Sequence, residues 1–323
     1  MAVPFKLSKD VFRHPRKKKA ATITSVVGRD SKMVHASVEG FVGVAGGRVW
    51  FRAVGNKTSK TPLLVLHGGP GVPHDYLEPL EALAEERQVI FYDQLGCGLS
   101  DRPQDVSLWT VERFVDELAI VRSSLGLDRV HLLGQSWGSM LGVEYMLGRP
   151  AGVASMILSA PAISAPRFAS DCREYLEFMH PCIKANILEK ERTGDFQSKE
   201  YQDAIGAFYR KHVCRLDPWP ECLNRSMAKR GIPTYLHMWG PSEFTLTGTL
   251  KHFDRVSRLK ELEVRTLFTC GSYDEATPAA TRGYCREMPN AEAVVFEGAS
   301  HTHHLEMEAA YLARVRAFLE END

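Results

Sequence analysis

No apolar run in this 323-residue chain approaches the roughly 18 residues that a membrane-spanning helix needs, which argues against a membrane-embedded protein. Net charge is missing too. Forty Lys and Arg balance forty Asp and Glu, so no global field recruits nucleic acid or an anionic membrane as a partner. Seven cysteines, with no C-x-x-C pair and no regular spacing, exclude a disulfide framework and fit free thiols in a reducing compartment. The N-terminus lacks the apolar stretch of a secretory signal, and the sequence reads as cytoplasmic. There is no H-E-x-x-H helix, no internal repeat and no low-complexity tract, and neither a metal nor a cofactor is expected.

The overall neutrality hides one asymmetry. Residues 1–36 hold nine Lys/Arg against two acidic residues, a local charge of +7 that leaves −7 on the remainder. With little periodicity and the run Arg16-Lys17-Lys18-Lys19, this segment reads as a mobile, solvated leader. From Gly40 onward the pattern changes. Residues 41–44 and 48–54, joined through Gly46-Gly47, predict a β-hairpin. Short apolar runs at 63–66, 89–92 and 130–133 end in Gly- or Asp-containing loops, and 111–125 has helical spacing. Runs at 156–158, 266–269 and 293–296 supply further strands. Buried strands alternating with helices predict an α/β fold with a mostly parallel sheet. Residues 164–251 break the rhythm with helix-rich, aromatic and proline-punctuated sequence. They are expected to form a helical cap over the strand ends, inserted between core segments 37–163 and 252–323.

Gly134-Gln135-Ser136-Trp137-Gly138 matches G-x-S-x-G between an apolar strand and a helical run. That context places a serine on a sharp strand-to-helix turn, with small residues two positions away letting the backbone bend, and Ser136 is the candidate nucleophile. Acyl transfer also needs two N–H donors for an oxyanion. The Trp137 amide is one, and Gly69 in His67-Gly68-Gly69-Pro70-Gly71 is chosen for the other. His67 precedes the serine and is read as a buttress of that loop. Asp274, in a Gly- and Pro-bounded loop after a strand, is the candidate acid, and His301, after Gly298-Ala299-Ser300, is the candidate base. The order Ser136, Asp274, His301 is that of an α/β-hydrolase. His303 and His304 compete for the base role, and Asp254, in a polar helix-like stretch, for the acid role.

With these residues in place, the chain resembles the proline iminopeptidase family of serine aminopeptidases, from about residue 39 to 319. The resemblance is carried by the His67–Gly71 loop, the stretch Phe91-Tyr92-Asp93-Gln94-Leu95-Gly96-Cys97-Gly98-Leu99-Ser100, the Ser136 pentapeptide, Trp239-Gly240-Pro241-Ser242-Glu243-Phe244-Thr245, and Tyr273-Asp274-Glu275. It implies an α/β-hydrolase fold, an eight-stranded mixed sheet, no cofactor, and a short peptide or aminoacyl amide as substrate. It also implies that Glu243 and Glu275 hold the substrate's free α-ammonium. Charge-assisted bonds suit that task, and an acylated peptide would leave both carboxylates unpaired. The competing readings are an esterase or amidase acting on small non-peptide acyl compounds, and a non-catalytic binding protein on the same fold. A serine nucleophile argues against epoxide hydrolases and haloalkane dehalogenases, which need an aspartate.

Overall fold

A two-residue turn, Ala45-Gly46, closes the first hairpin because Gly46 takes φ +94°, a left-handed conformation that a side chain would strain. The flanking strands belong to a sheet that organises the whole chain. The computed structural model describes residues 22–24 and 35–323. Its strands are β1 (Thr22–Thr24), β2 (Ser37–Val44), β3 (Gly47–Val54), β4 (Leu63–Leu66), β5 (Val89–Tyr92), β6 (Val130–Gln135), β7 (Val153–Ser159), β8 (Thr266–Gly271) and β9 (Ala291–Phe296). They lie in the order β1-β2-β3-β5-β4-β6-β7-β8-β9. The pairs from β5 to β9 are parallel, and β1, β2 and β3 join antiparallel.

Eight strands, β2 to β9, correspond to the sheet expected from the sequence. The ninth, β1, falls inside the segment read as a leader and pairs Thr22 with Phe41, Ile23 with Gly40 and Thr24 with Glu39. Three β-branched residues favour an extended edge, yet a run so short shows no alternation from which a strand could be recognised. The rest of the expected leader, 1–21 and 25–34, lies outside the described residues.

Alternation along the strands explains why the sheet is buried on both sides. Leu64 and Leu66 of β4, Ile90 and Tyr92 of β5, and Met156 and Leu158 of β7 join one apolar core. Leu63, Val65, Val89, Phe91 and Ile157 join the other, on the opposite face. Helices α1 (Val111–Ser124) and α2 (Trp137–Leu147) contribute Phe114, Leu118, Met140 and Leu141 to the first core. α1 begins where Thr110 accepts a hydrogen bond from the Arg113 N–H.

Between β7 and β8 the chain leaves the sheet to form α3 (Ala165–Glu177), α4 (Pro181–Thr193), α5 (Lys199–His212), α6 (Glu221–Ala228) and α7 (Ile232–Met238). It returns through two 3₁₀ turns, Thr249–His252 and Val256–Glu261. Asp254 sits between those turns in a β-bridge to Ser164, and not in the helix-like stretch expected of it. Pro278 and His303 then open α8 (Pro278–Glu287) and α9 (His303–Glu306), and α10 (Glu308–Glu320) closes the second core with Leu312, Val315 and Phe318. Among the described residues no helix is long and apolar enough to cross a membrane.

Candidate active site

Ser136 links β6 to α2 with φ +53° and ψ −117°, a strained geometry for a residue with a side chain. The glycines on either side are required by contact. A Cβ on Gly134 would lie 2.3 Å from the Gly138 carbonyl oxygen, and one on Gly138 would lie 2.1 Å from that of Leu66. The turn therefore closes only with glycine at both positions. The Ser136 N–H donates to Ser159 O at 3.0 Å, and the Ser139 hydroxyl donates to Ser136 O at 2.5 Å. These bonds hold the serine at the positive end of α2, still 9% exposed and lining a cavity of about 470 Å³.

Gly69 lines the same cavity with φ +110°, and a Cβ there would meet the amide nitrogens of Gly71 and Val72 at 2.5 and 2.6 Å. Among the described residues, neither the Gly69 nor the Trp137 N–H is taken by a loop or side-chain acceptor. His67 does buttress this loop. Its Nε2 accepts from the Gln94 N–H at 2.9 Å, which leaves the proton on Nδ1 to donate to Gly68 O, also at 2.9 Å. Burial lowers the His67 pKa to about 4, so the ring stays neutral. Gln94 extends the brace: its Nε2 donates to His67 O at 3.1 Å, and its Oε1 accepts from the Trp137 indole at 2.8 Å. The sequence contains Gln94, but nothing in its spacing marks it as the tie between the two loops.

Asp274 and His301 come from the loops after β8 and β9. His301 Nδ1 donates to Asp274 Oδ1 at 2.8 Å, an oxygen that also accepts from the Ala276 N–H at 2.7 Å. That contact keeps Nε2 unprotonated and available as an acceptor. Burial pulls the His301 pKa down, but the charge and hydrogen bond of Asp274, aided by Glu243, outweigh it and raise the value above the ordinary one. No hydrogen bond joins Ser136 Oγ to His301 among the described residues, although both line the cavity. In empty sites such bonds are commonly long and tighten only around substrate.

The competitors are placed elsewhere. His303 faces Thr269 and Ser159 hydroxyls at 2.9 and 3.1 Å within the core, and His304 donates to Tyr76 O at 3.1 Å. Burial holds the His303 pKa well below the usual value and that of His304 at about 3. Asp254 accepts from the Ser164 hydroxyl at 2.7 Å. His74, Asp75 and Glu78 bring potential metal-ligating atoms within 4.8 Å of one another. Each is already engaged, with Asp93, Lys229 and Arg225 respectively.

Glu243, in the loop after α7, and Glu275, beside Asp274, line the cavity together with Ser136 and His301. Glu243 accepts from the Tyr235 hydroxyl at 2.6 Å and keeps some exposure onto the cavity. Glu275 is 1% exposed, and among the described residues its Oε2 has no hydrogen-bond partner. Burial pushes both carboxyls above the ordinary range, Glu275 further, because Glu243 and Asp274 add like charge beside it. A cation entering here would relieve both desolvation and repulsion.

One support escaped sequence reading altogether. At the end of α5 the His212 carbonyl accepts from the His301 N–H at 3.0 Å, and its ring Nδ1 bonds Tyr273 O at 2.8 Å. Val213 O accepts from the N–H and hydroxyl of Thr302, both at 2.9 Å. The inserted helices thus grip both the loop that carries Asp274 and the loop that carries His301. His212 is the last residue of an amphipathic helix and belongs to no motif, so no local signal announces it.

The family model for the α/β hydrolase fold matches residues 61–307. A proline iminopeptidase of Heyndrickxia coagulans is 45% identical over 282 residues, covering 87% of this chain and 98% of that protein. The solved structure of a Mycobacterium smegmatis proline iminopeptidase superposes with a TM-score of 0.81 at 34% identity, over 87% of this chain and 97% of its own. The solved structure of VinJ superposes with a TM-score of 0.86 at 33% identity, over 88% and 99%.

Proposed function

Because the chain belongs to the proline iminopeptidase family of α/β hydrolases, we propose that it releases an N-terminal proline, or another small apolar residue, from short peptides or aminoacyl amides. The observation that carries this reading is the pair Glu243, half-buried, and Glu275, buried, both lining the cavity that holds Ser136 and His301. An internal peptide bond offers them no charge, whereas a free α-ammonium pairs with both.

The chemistry is acyl transfer. Ser136 Oγ attacks the carbonyl carbon while His301 Nε2 takes its proton, and Asp274 stabilises the imidazolium that results. The Gly69 and Trp137 amides, free of other acceptors among the described residues, hold the oxyanion. Collapse breaks the C–N bond as His301 returns its proton to the leaving amine. Water then attacks the acyl carbon as His301 takes its proton, and the imidazolium returns that proton to Ser136 Oγ as the ester C–O bond breaks and the amino acid leaves. Every proton has a donor and an acceptor in this set, and no cofactor enters the balance. The helices of residues 164–251 act as the cap that closes the site. Seven unpaired thiols support a reducing, cytoplasmic setting, and the balanced charge supports neither nucleic acid nor membrane as partner.

Glu243→Gln and Glu275→Gln test the reading. Each keeps size and removes charge, and a charge-assisted bond is worth roughly 1.5–3 kcal/mol, so kcat/KM for aminoacyl substrates should fall about 10- to 150-fold. A simple acetate ester, which has no ammonium, should change far less. Equal cleavage of N-acetylated and free aminoacyl substrates by the parent enzyme would leave a general esterase or amidase in its place.

The pH profile provides a second test. Because the His301 pKa is raised, its neutral form is lost at a higher pH than usual as acid is added. The acid limb of kcat/KM should therefore lie above about pH 6.5, the reference imidazole value. Constant kcat/KM down to about pH 5 would contradict a histidine base held by Asp274.

A further inference from the structure

The end of α6 carries three cations, and one has no anionic partner. Arg225 is paired with Asp75, Glu78 and Glu221, and Lys229 with Asp75 at 2.6 Å. Arg230 is exposed, and among the described residues it has neither a carboxylate within 4.0 Å nor a hydrogen bond from its guanidinium. It nevertheless lines the cavity that holds Ser136, His301, Glu243 and Glu275, and among the described residues it is the sole Lys or Arg of that lining.

Its backbone is anchored beside the reacting centre. The N–H of Gly231 donates to Gly71 O at 2.7 Å, two residues from Gly69. A Cβ on Gly231 would lie 2.2 Å from Gly96 O, so the contact is closed to any side chain. The chain is thus pinned to the oxyanion loop immediately after Arg230, while the guanidinium stays free at the cavity surface. Apolar Trp219, Leu223, Met227 and Ile232 line the same cavity. They compete for no charge and strengthen an ion pair formed beside them.

We propose that Arg230 binds the free α-carboxylate of a di- or tripeptide, so that the cavity recognises a short peptide by both charged termini. The inference rests on the aminopeptidase reading above and adds the opposite end of the substrate to it. Two carboxylates and one guanidinium lining the same cavity complement the charges of a zwitterionic peptide. A volume of about 470 Å³ suits a ligand of that size. The planar fork of arginine matches a carboxylate through two parallel bonds, which an ammonium does not.

The test compares three substrates: prolyl-alanine, its C-terminal amide and prolyl-naphthylamide. Wild type should prefer the acid over the amide by about 5- to 10-fold in kcat/KM, the scale of a solvent-exposed charge-assisted bond. The preference should shrink as salt rises. Arg230→Gln should abolish it, through KM on the acid, while the amide and the naphthylamide stay within about twofold. Arg230→Lys should retain part of it. Equal cleavage of acid and amide by wild type, or an equal loss on all three substrates in Arg230→Gln, overturns the proposal while the aminopeptidase reading stands. No cleavage of prolyl- or alanyl-naphthylamide by wild type overturns both.

Discussion

Replacing Ser136 with alanine should cut kcat by on the order of 10⁶-fold, the scale seen when a triad nucleophile is removed elsewhere. Stability should hardly change. Among the described residues the hydroxyl makes no hydrogen bond, so its loss leaves no buried partner unsatisfied. Alanine inherits the same φ of +53° that the serine already bears. The melting temperature should stay within about 2 °C of wild type, since a fraction of a kcal/mol moves a domain of this size by no more. Active-site titration with a fluorophosphonate gives the complementary readout: one label per chain on Ser136 in wild type, none in Ser136→Ala. Substantial turnover by a Ser136→Ala protein purified away from host hydrolases would sink the acyl-enzyme mechanism.

The next largest effect is expected at Asp274, where Asp274→Asn should lower kcat by about 10⁴-fold, as the same change does in another serine triad. The surroundings of the carboxylate show why. Its Oδ1 accepts from both His301 Nδ1 and the Ala276 N–H, and its Oδ2 faces the Gly271 N–H at 3.4 Å. An amide has one acceptor oxygen for these positions. Whichever way it turns, an NH₂ group meets a donor, and turned toward His301 it favours the imidazole tautomer with the proton on Nε2. A second signature separates this from simple misfolding. The Asp274 charge is the largest influence raising the His301 pKa against burial, so the residual activity of Asp274→Asn should show its acid limb shifted to lower pH. Asp254→Asn serves as the control, because that carboxylate bonds Ser164 and should leave kcat/KM within about twofold. An unshifted acid limb in Asp274→Asn, or an equal loss in Asp254→Asn, would contradict the assigned acid.

Much of this architecture was legible without coordinates because it is written in short-range pattern. The strands at 63–66, 89–92 and 130–133 end within two residues of the observed ones, since a buried parallel strand is a continuous apolar run between turn residues. Ser136 was readable because a strained turn that admits only glycine at 134 and 138 leaves a five-residue signature. The choice of His301 over two nearby histidines followed from its place after Gly298-Ala299-Ser300.

Tertiary structure alone decided how distant segments meet. The burial of His303 and His304 in the core, the His67–Gln94–Trp137 brace and the grip of His212 and Val213 on the loops that carry Asp274 and His301 arise from packing. Such contacts join residues tens of positions apart with no shared period. Glu243 and Glu275 stand 32 positions apart, and only the fold of the inserted helices puts their carboxylates on one cavity wall, where each raises the cost of the other's charge. Arg230 is the sharpest case. In sequence it is one of several cations at a helix end, and its distinction is that, among the described residues, Arg225 and Lys229 find acids while it does not. Local pattern encodes backbone geometry over a few residues, whereas the pairing of a charge depends on everything that folds around it.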